Sequence, residues 1–157
     1  QPGMFINHGS AGFYTKLITT AKKAGARTTF MAVNSGSSQI AKGLGPLAYG
    51  MVFCQVVPSP WERKREIARE YQDAARKASP NPEFNYGALE GYMTAKVLAM
   101  ALRSIPPKEL SRASLVKALY SGPFDVGGLV VRFEPGNHEG SHFVDLSIVS
   151  REGRFIH

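Results

Sequence analysis

Cysteine is almost absent from this chain of 157 residues: Cys54 stands alone, which excludes an intrachain disulfide framework. Acidic residues are missing altogether from residues 1–57, which carry five basic ones (Lys16, Lys22, Lys23, Arg27 and Lys42). Long apolar runs are lacking too, since none reaches the roughly 20 residues of a bilayer-spanning helix. Several signatures of catalysis are also wanting. No His-Glu-x-x-His pairs two imidazoles on a helix, and the serine-rich turn Asn34–Ser38 lacks the strand–G-x-S-x-G–helix setting of a nucleophile elbow. Ser35-Gly36-Ser37-Ser38 has no lysine to make a phosphate loop of it. Enzymatic chemistry therefore has no support in the residues, and no cofactor or metal is expected. His138 and His142 are four apart in and after a hairpin turn, where surface positions account for them better than metal ligation does.

What is present suits one globular body. Hydrophobic residues make up 43% and charged residues 20%, close to ordinary values, and the length suffices for a core without staples. The formal net charge is +7, yet the basic residues form no dense run and no aromatic-interleaved stripe. A solvated surface accounts for them better than nucleic-acid binding. Residues 58–122 hold eleven basic against seven acidic residues, and 123–157 three against five. The opening Gln1-Pro2-Gly3-Met4 has neither a basic n-region nor an apolar h-region, as in a mature product, a fragment or a chain without a leader.

The organising stretch is Gly50–Trp61. Met51–Val57 reads as a strand buried on both faces, and Pro58-Ser59-Pro60 then carries the chain out as a stiff extended piece. Such a strand can cross between two lobes; an ordinary strand ending in a proline-rich turn fits the spacing equally well. Before it come a strand at Met4–Ile6, a helix capped by Ser10 with Phe13, Leu17, Ile18 and Ala21 on its apolar face, a strand over Thr28–Val33 and a short helix at Ile40–Leu44. Strand, helix, strand, short helix, strand is an open parallel α/β pattern. After it come three helices, over Trp61–Ala78, Asn85 or Tyr86 to Arg103, and Arg112–Tyr120. The second is apolar nearly all round and is expected to be buried, with Gly87 and Gly91 allowing another backbone near. Beyond the break at Ser121-Gly122-Pro123, the segments Leu129–Phe133, His142–Val149 and Arg154–Ile156 alternate as a meander.

In open α/β sheets ligands sit outside the carboxyl ends of the strands. Two such ends are visible, Asn7-His8-Gly9-Ser10 and Asn34-Ser35-Gly36-Ser37, each leading into a helix whose first amides can receive an anion. Ordinary turn and cap chemistry would place the same residue types there.

Taken together, several stretches resemble the type I periplasmic solute-binding proteins of ABC importers, in the branched-chain amino-acid (Leu/Ile/Val) group. They are Ala21-Lys22-Lys23-Ala24-Gly25 before Thr29-Phe30-Met31, Gly50–Trp61, Arg69-Glu70-Tyr71, Leu89-Glu90-Gly91-Tyr92, and the tail from Phe133-Glu134-Pro135-Gly136 through Asp145-Leu146 to Gly153-Arg154-Phe155. The resemblance runs over essentially the whole chain, but only to the carboxyl-terminal portion of such proteins. It implies an α/β fold of two lobes, here one partial unit: a parallel sheet with helices on both faces and an antiparallel meander, plus a helical segment of the other lobe. Residues 1–57 would be second-lobe α/β structure, 58–122 the helical part of the first lobe, and 123–157 the return strands of the second.

A small-molecule ligand in the interlobe cleft, a membrane permease as partner and a periplasmic location are implied likewise. A ligand-sensing core of a receptor or transcription regulator of the same fold is the alternative. Without its first-lobe sheet, the helical part would expose an apolar face, with self-association or occlusion of that face expected. In amino-acid-binding relatives the second lobe offers an aromatic and an acidic residue; the matching positions here are Ser10 and Asn34, neither of which can pair with an ammonium as a carboxylate does. With no Asp or Glu in residues 1–57, an anionic or neutral ligand is expected, such as a carboxylate or an amide, hydrogen-bonded by His8, Ser10, Asn34 and Ser35.

Overall fold

The computed structural model describes residues 2–33 and 36–157. The chain divides into two compact units, one formed by 1–56 with 144–157 and the other by 57–143.

The first unit is a five-stranded sheet in the order β1-β2-β3-β6-β7. Its strands are β1 (Met4–Asn7), β2 (Thr29–Val33), β3 (Val52–Gln55), β6 (Asp145–Val149) and β7 (Phe155–Ile156). The first three run parallel; β6 and β7 join antiparallel. Helix α1 (Ala11–Lys23) connects β1 to β2, and α2 (Ser37–Leu44), followed by a 3₁₀ turn at Gly45–Ala48, connects β2 to β3. Tyr14 and Ile18 of α1 and Ile40, Ala41 and Leu44 of α2 pack on Phe30, Ala32, Phe53 and Val149. These sheet residues are register partners or stand two apart on a strand, so they share one face. Phe53 is wholly buried and meets Phe155 edge-on, ring centroids 5.6 Å apart. Truncating such a ring costs about 3–5 kcal/mol, through the lost transfer free energy and the cavity left behind.

Strand β3 alternates, with Phe53 and Gln55 buried and Val52 and Cys54 partly open. The continuous apolar run Met51–Val57 thus does not mean burial on both faces: the helices that follow β1 and β2 both settle on one. The apolar face of α1 is also turned relative to expectation. Tyr14 and Ile18 lie inward four apart, while Phe13 is 57% exposed. A tyrosine outcompetes the phenylalanine because its hydroxyl finds a partner beneath the helix.

In the second unit, α3 (Glu66–Ala78) buries Ile67, Ala68, Tyr71 and Gln72. Helix α4 (Tyr86–Arg103) starts at Asn85, whose side chain accepts from the Ala88 amide at 2.8 Å. Tyr71 sets its ring against Tyr92 and Phe84, and Lys96 pairs with Glu70, so α3 and α4 are joined by both rings and charge. Helix α4 buries only the stripe Tyr86, Leu89, Met93, Val97 and Ala101. Leu98 and Leu102 remain exposed, and a Cβ on Gly91 would meet nothing within 4 Å. The expectation of all-round burial overlooked how many of its other positions are alanine and glycine, which tolerate water at little cost.

Helix α5 (Arg112–Tyr120) opens with a reciprocal cap between Ser111 and Ser114. Strands β4 (Phe124–Asp125) and β5 (Val130–Val131) then form their own two-stranded sheet. The expected meander is therefore split, since 123–143 groups with 57–122 and only 144–157 joins the five-stranded sheet. The Asp125 turn brings β5 back onto β4 before the chain can reach the main sheet.

Candidate functional site

Strands β1, β2 and β3 end at the same rim of the sheet, at Asn7, Val33 and Gln55. From β1 the chain passes through His8 and Gly9 to Ser10, which is extended at φ −74°, ψ 153° and accepts from the Phe13 amide at 3.4 Å. Its carbonyl takes the Tyr14 amide at 3.0 Å. Ser10 therefore begins α1 as expected. Its side chain and that of His8 are both exposed. Tyr14 reaches back seven residues and donates its hydroxyl proton to the Asn7 carbonyl oxygen. Burial pushes its phenol up, while the nearby backbone amides of Val33 and Gly9 act the other way. One phenol thus stands at the ends of both β1 and β2.

The second turn begins with Asn34 and Ser35, which lie outside the described residues. It resumes at Gly36, whose φ of +71° is the left-handed conformation that only glycine adopts freely, and α2 starts at the next residue. The first turns of α1 and α2 contain no acidic residue. Their leading amides have no intrahelical acceptor, and the positive ends of two helix dipoles lie at the rim.

Gln55 at this rim escaped sequence reasoning, and Asn7 was named only as part of its turn. The amide nitrogen of Asn7 and the amide oxygen of Gln55 are buried without a hydrogen-bond partner among the described residues. Gln55 is wholly buried and spends its other end on the Ser147 hydroxyl at 3.0 Å. A glutamine inside the apolar run Met51–Val57 was the available signal. Asp145 is the second surprise: it is the register partner of Gln55, so β6 delivers a carboxylate to this rim from ninety residues downstream. It lies 3.4 Å from the His157 ring nitrogen and takes the Leu146 amide at 2.8 Å. Strands β1 and β6 stand three spacings apart, about 14 Å, too far for Asp145 to pair with a cation held at the Ser10 turn.

Among the described residues no group of histidine, cysteine, aspartate and glutamate could hold a metal, and no helix is long and apolar enough to cross a membrane. His138 stacks on Tyr120 and shares a hydrogen bond of 2.9 Å with its hydroxyl. A hollow of about 470 Å³ opens on the second unit around Arg76, Pro80–Pro82, Glu83 and Phe84; none of the rim residues lines it.

No curated protein matches the chain. Solved structures do. A possible leucine/isoleucine/valine-binding protein from Rhodopirellula baltica SH 1 is 32% identical with a TM-score of 0.90, over 99% of this chain and 43% of its own. An extracellular ligand-binding receptor from Verminephrobacter eiseniae is 28% identical at 0.84, over 99% and 44%. A substrate-binding periplasmic protein from Ralstonia solanacearum is 25% identical at 0.84, over 98% and 45%. The chain thus spans less than half the length of the structures it resembles, a partial unit of their fold. The sequence profile described as periplasmic binding protein matches residues 3–153. This chain belongs to the periplasmic binding protein family.

Proposed function

We propose that the chain is part of a solute-binding protein that works outside the cytoplasmic membrane and delivers its ligand to the permease of an ABC importer. The ligand is a small carboxylate or a neutral polar molecule such as an amide. His8, Ser10, Asn34 and Ser35 hold it by hydrogen bonds at the carboxyl ends of β1 and β2.

One observation carries this reading: two helices begin side by side at the strand-end rim with no acidic residue in either first turn. An α-ammonium there would find no counter-charge, whereas a carboxylate would find helix amides. Asp145 lies too far along the rim to change that balance. The rim also holds two buried amide atoms without partners among the described residues, Asn7 Nδ2 and Gln55 Oε1. Buried groups of that kind cost free energy unless satisfied, and a polar ligand offers both donors and acceptors.

Calorimetric titration with a panel of aliphatic and aromatic carboxylates, their amides, and the amino acids leucine and valine tests the reading. Carboxylates or amides are expected to bind most tightly, with Asp145→Asn leaving their affinity within about twofold. Tighter binding of leucine or valine, abolished by Asp145→Asn, overturns the ligand class.

A further inference from the structure

The edge of the first unit opposite the strand-end rim gathers positive charge. Strands β1, β2 and β3 start there, and α1 ends there with Lys22 and Lys23 in its last turn. Arg27 follows in the loop to β2. Strand β6 runs antiparallel to β3 with Ile148 opposite Val52, so the turn from β6 to β7 delivers Arg151 and Arg154 to the same edge. The Arg151 guanidinium lies 5.3 Å from the centre of the Tyr49 ring, which joins that turn to the loop before β3. Against these five cations, the three loops and the last turn of α1 hold one acidic residue, Glu152.

We propose that this edge docks on an anionic phospholipid surface. The dipole of α1 accounts for Lys22 and Lys23, but not for two arginines that arrive from the β6–β7 turn. Lys23, Arg27, Arg151 and Arg154 are exposed, and the Lys22 amine lies 5.6 Å from the centre of the Phe30 ring. Like charges gathered on one edge repel one another, and a surface of opposite sign offsets that repulsion. Each lysine or arginine close to an anionic membrane strengthens partition roughly fivefold. The loop before β3 adds Tyr49, 52% exposed, and Leu47, 37% exposed. A ring with a polar tip and an aliphatic side chain beside cations settle at the headgroup level, whereas an acidic protein surface would call for neither. All three loops are complete in this chain, each joining two of its own elements. The edge lies at the far end of the strands from His8 and Ser10, so docking leaves the candidate ligand turn clear and is independent of the ligand proposed above.

Flotation of the 157-residue chain with phosphatidylcholine vesicles, and with vesicles in which a third of the lipid is phosphatidylglycerol, tests the proposal. Binding to the anionic vesicles is expected to be at least about tenfold tighter than to the neutral ones, fading as added salt screens the charges. Lys23→Gln, Arg151→Gln and Arg154→Gln combined should weaken it about a hundredfold with an unchanged circular-dichroism spectrum, since all three are exposed. Each single substitution should cost roughly fivefold and reads the same edge if the triple variant does not fold. Lys108→Gln, Arg112→Gln and Lys117→Gln remove as much charge from exposed positions of the second unit and should leave the affinity within about threefold. Tyr49→Ser keeps every charge and should weaken binding several-fold. A chain that shows no preference for anionic lipid overturns the proposal. Equal losses in the two triple variants overturn it as well, reducing the effect to net charge. Unchanged affinity in Tyr49→Ser overturns the lipid surface in favour of a general attraction to polyanions, acidic proteins among them.

Discussion

Tyr14 donates its hydroxyl proton to the carbonyl oxygen of Asn7, so the second turn of the first helix holds the end of the first strand. The phenol is wholly buried, and no water can replace the bond at that position. A helix face, a strand end and a candidate ligand loop therefore depend on one oxygen.

Tyr14→Phe keeps the ring and removes the donor. It is expected to destabilise the protein by about 1–2 kcal/mol, the range for a buried group left short of a partner. Urea unfolding measures this. Ligand affinity should fall as well, because the turn at His8–Ser10 loses its anchor; unchanged affinity would detach Tyr14 from the site.

Ser10 has two roles that substitution can separate. Ser10→Ala removes the cap and should cost about 1 kcal/mol, whereas Ser10→Gly should cost only a few tenths. Both delete the hydroxyl. If that hydroxyl contacts ligand, calorimetry will show equal affinity losses for two variants of unequal stability.

Gln72 is 1% exposed and ties the proline-rich segment to α3. Its amide nitrogen donates to the Pro60 carbonyl at 2.9 Å, while its oxygen accepts from Arg63 at 3.1 Å and Arg76 at 3.2 Å. Gln72→Leu leaves the Pro60 carbonyl unpaired in the interior. A loss of about 2 kcal/mol is expected, read as a lower denaturation midpoint at unchanged slope.

Asp125 shapes stability against pH. Its carboxylate accepts from the amides of Gly128 at 2.8 Å and Gly127 at 2.9 Å. These two bonds, that of Gly128 first, hold its pKa below the usual aspartate value. The folded state therefore favours the ionised form. The stabilisation is complete above the ordinary aspartate range and is lost as pH falls through the lowered folded value. Asp125→Asn should flatten that decline: melting temperatures of variant and parent should converge as pH drops from 7 to 3. A constant offset across the range would contradict the assignment.

Gly127 has φ +103°, and a Cβ placed there would lie 2.7 Å from the backbone nitrogen of Ile67. The Gly127 carbonyl also accepts that same amide at 3.2 Å. Gly127→Ala adds strain of about 1–3 kcal/mol from the backbone alone, plus the collision. Thermal denaturation should show it as a large drop, whereas Gly128→Ala, with open space around its Cβ, should show the smaller one.

The alternation of strands and helices through residue 57 was legible because each element carries its own punctuation: Ser10 before α1, Gly25 after it, Gly45-Pro46 after α2. The family was legible too, from stretches whose order no single motif would supply. Pairing between distant segments was not. Nothing local in Asp145–Val149 tells that it lies against β3, or that Phe124–Asp125 prefers Val130–Val131 to the main sheet. The site was half legible for the same reason. Ser10 could be placed from its neighbours, whereas Gln55 and Asp145 face one another only because a strand returns from far downstream. Which face of the sheet the helices take likewise depends on connections, not on composition.

That return has a consequence for how the protein is made. Gln55 of β3 leaves the ribosome ninety residues before Asp145, its register partner in β6, and the outermost strand β7 follows later still. Residues 57–143 can mature while the older segment waits with an unpaired β3 edge, its closure delayed by the long intervening loop. Losing residues 145–157 would strip away β6 and β7, leaving β3 a raw strand margin to which other chains can add.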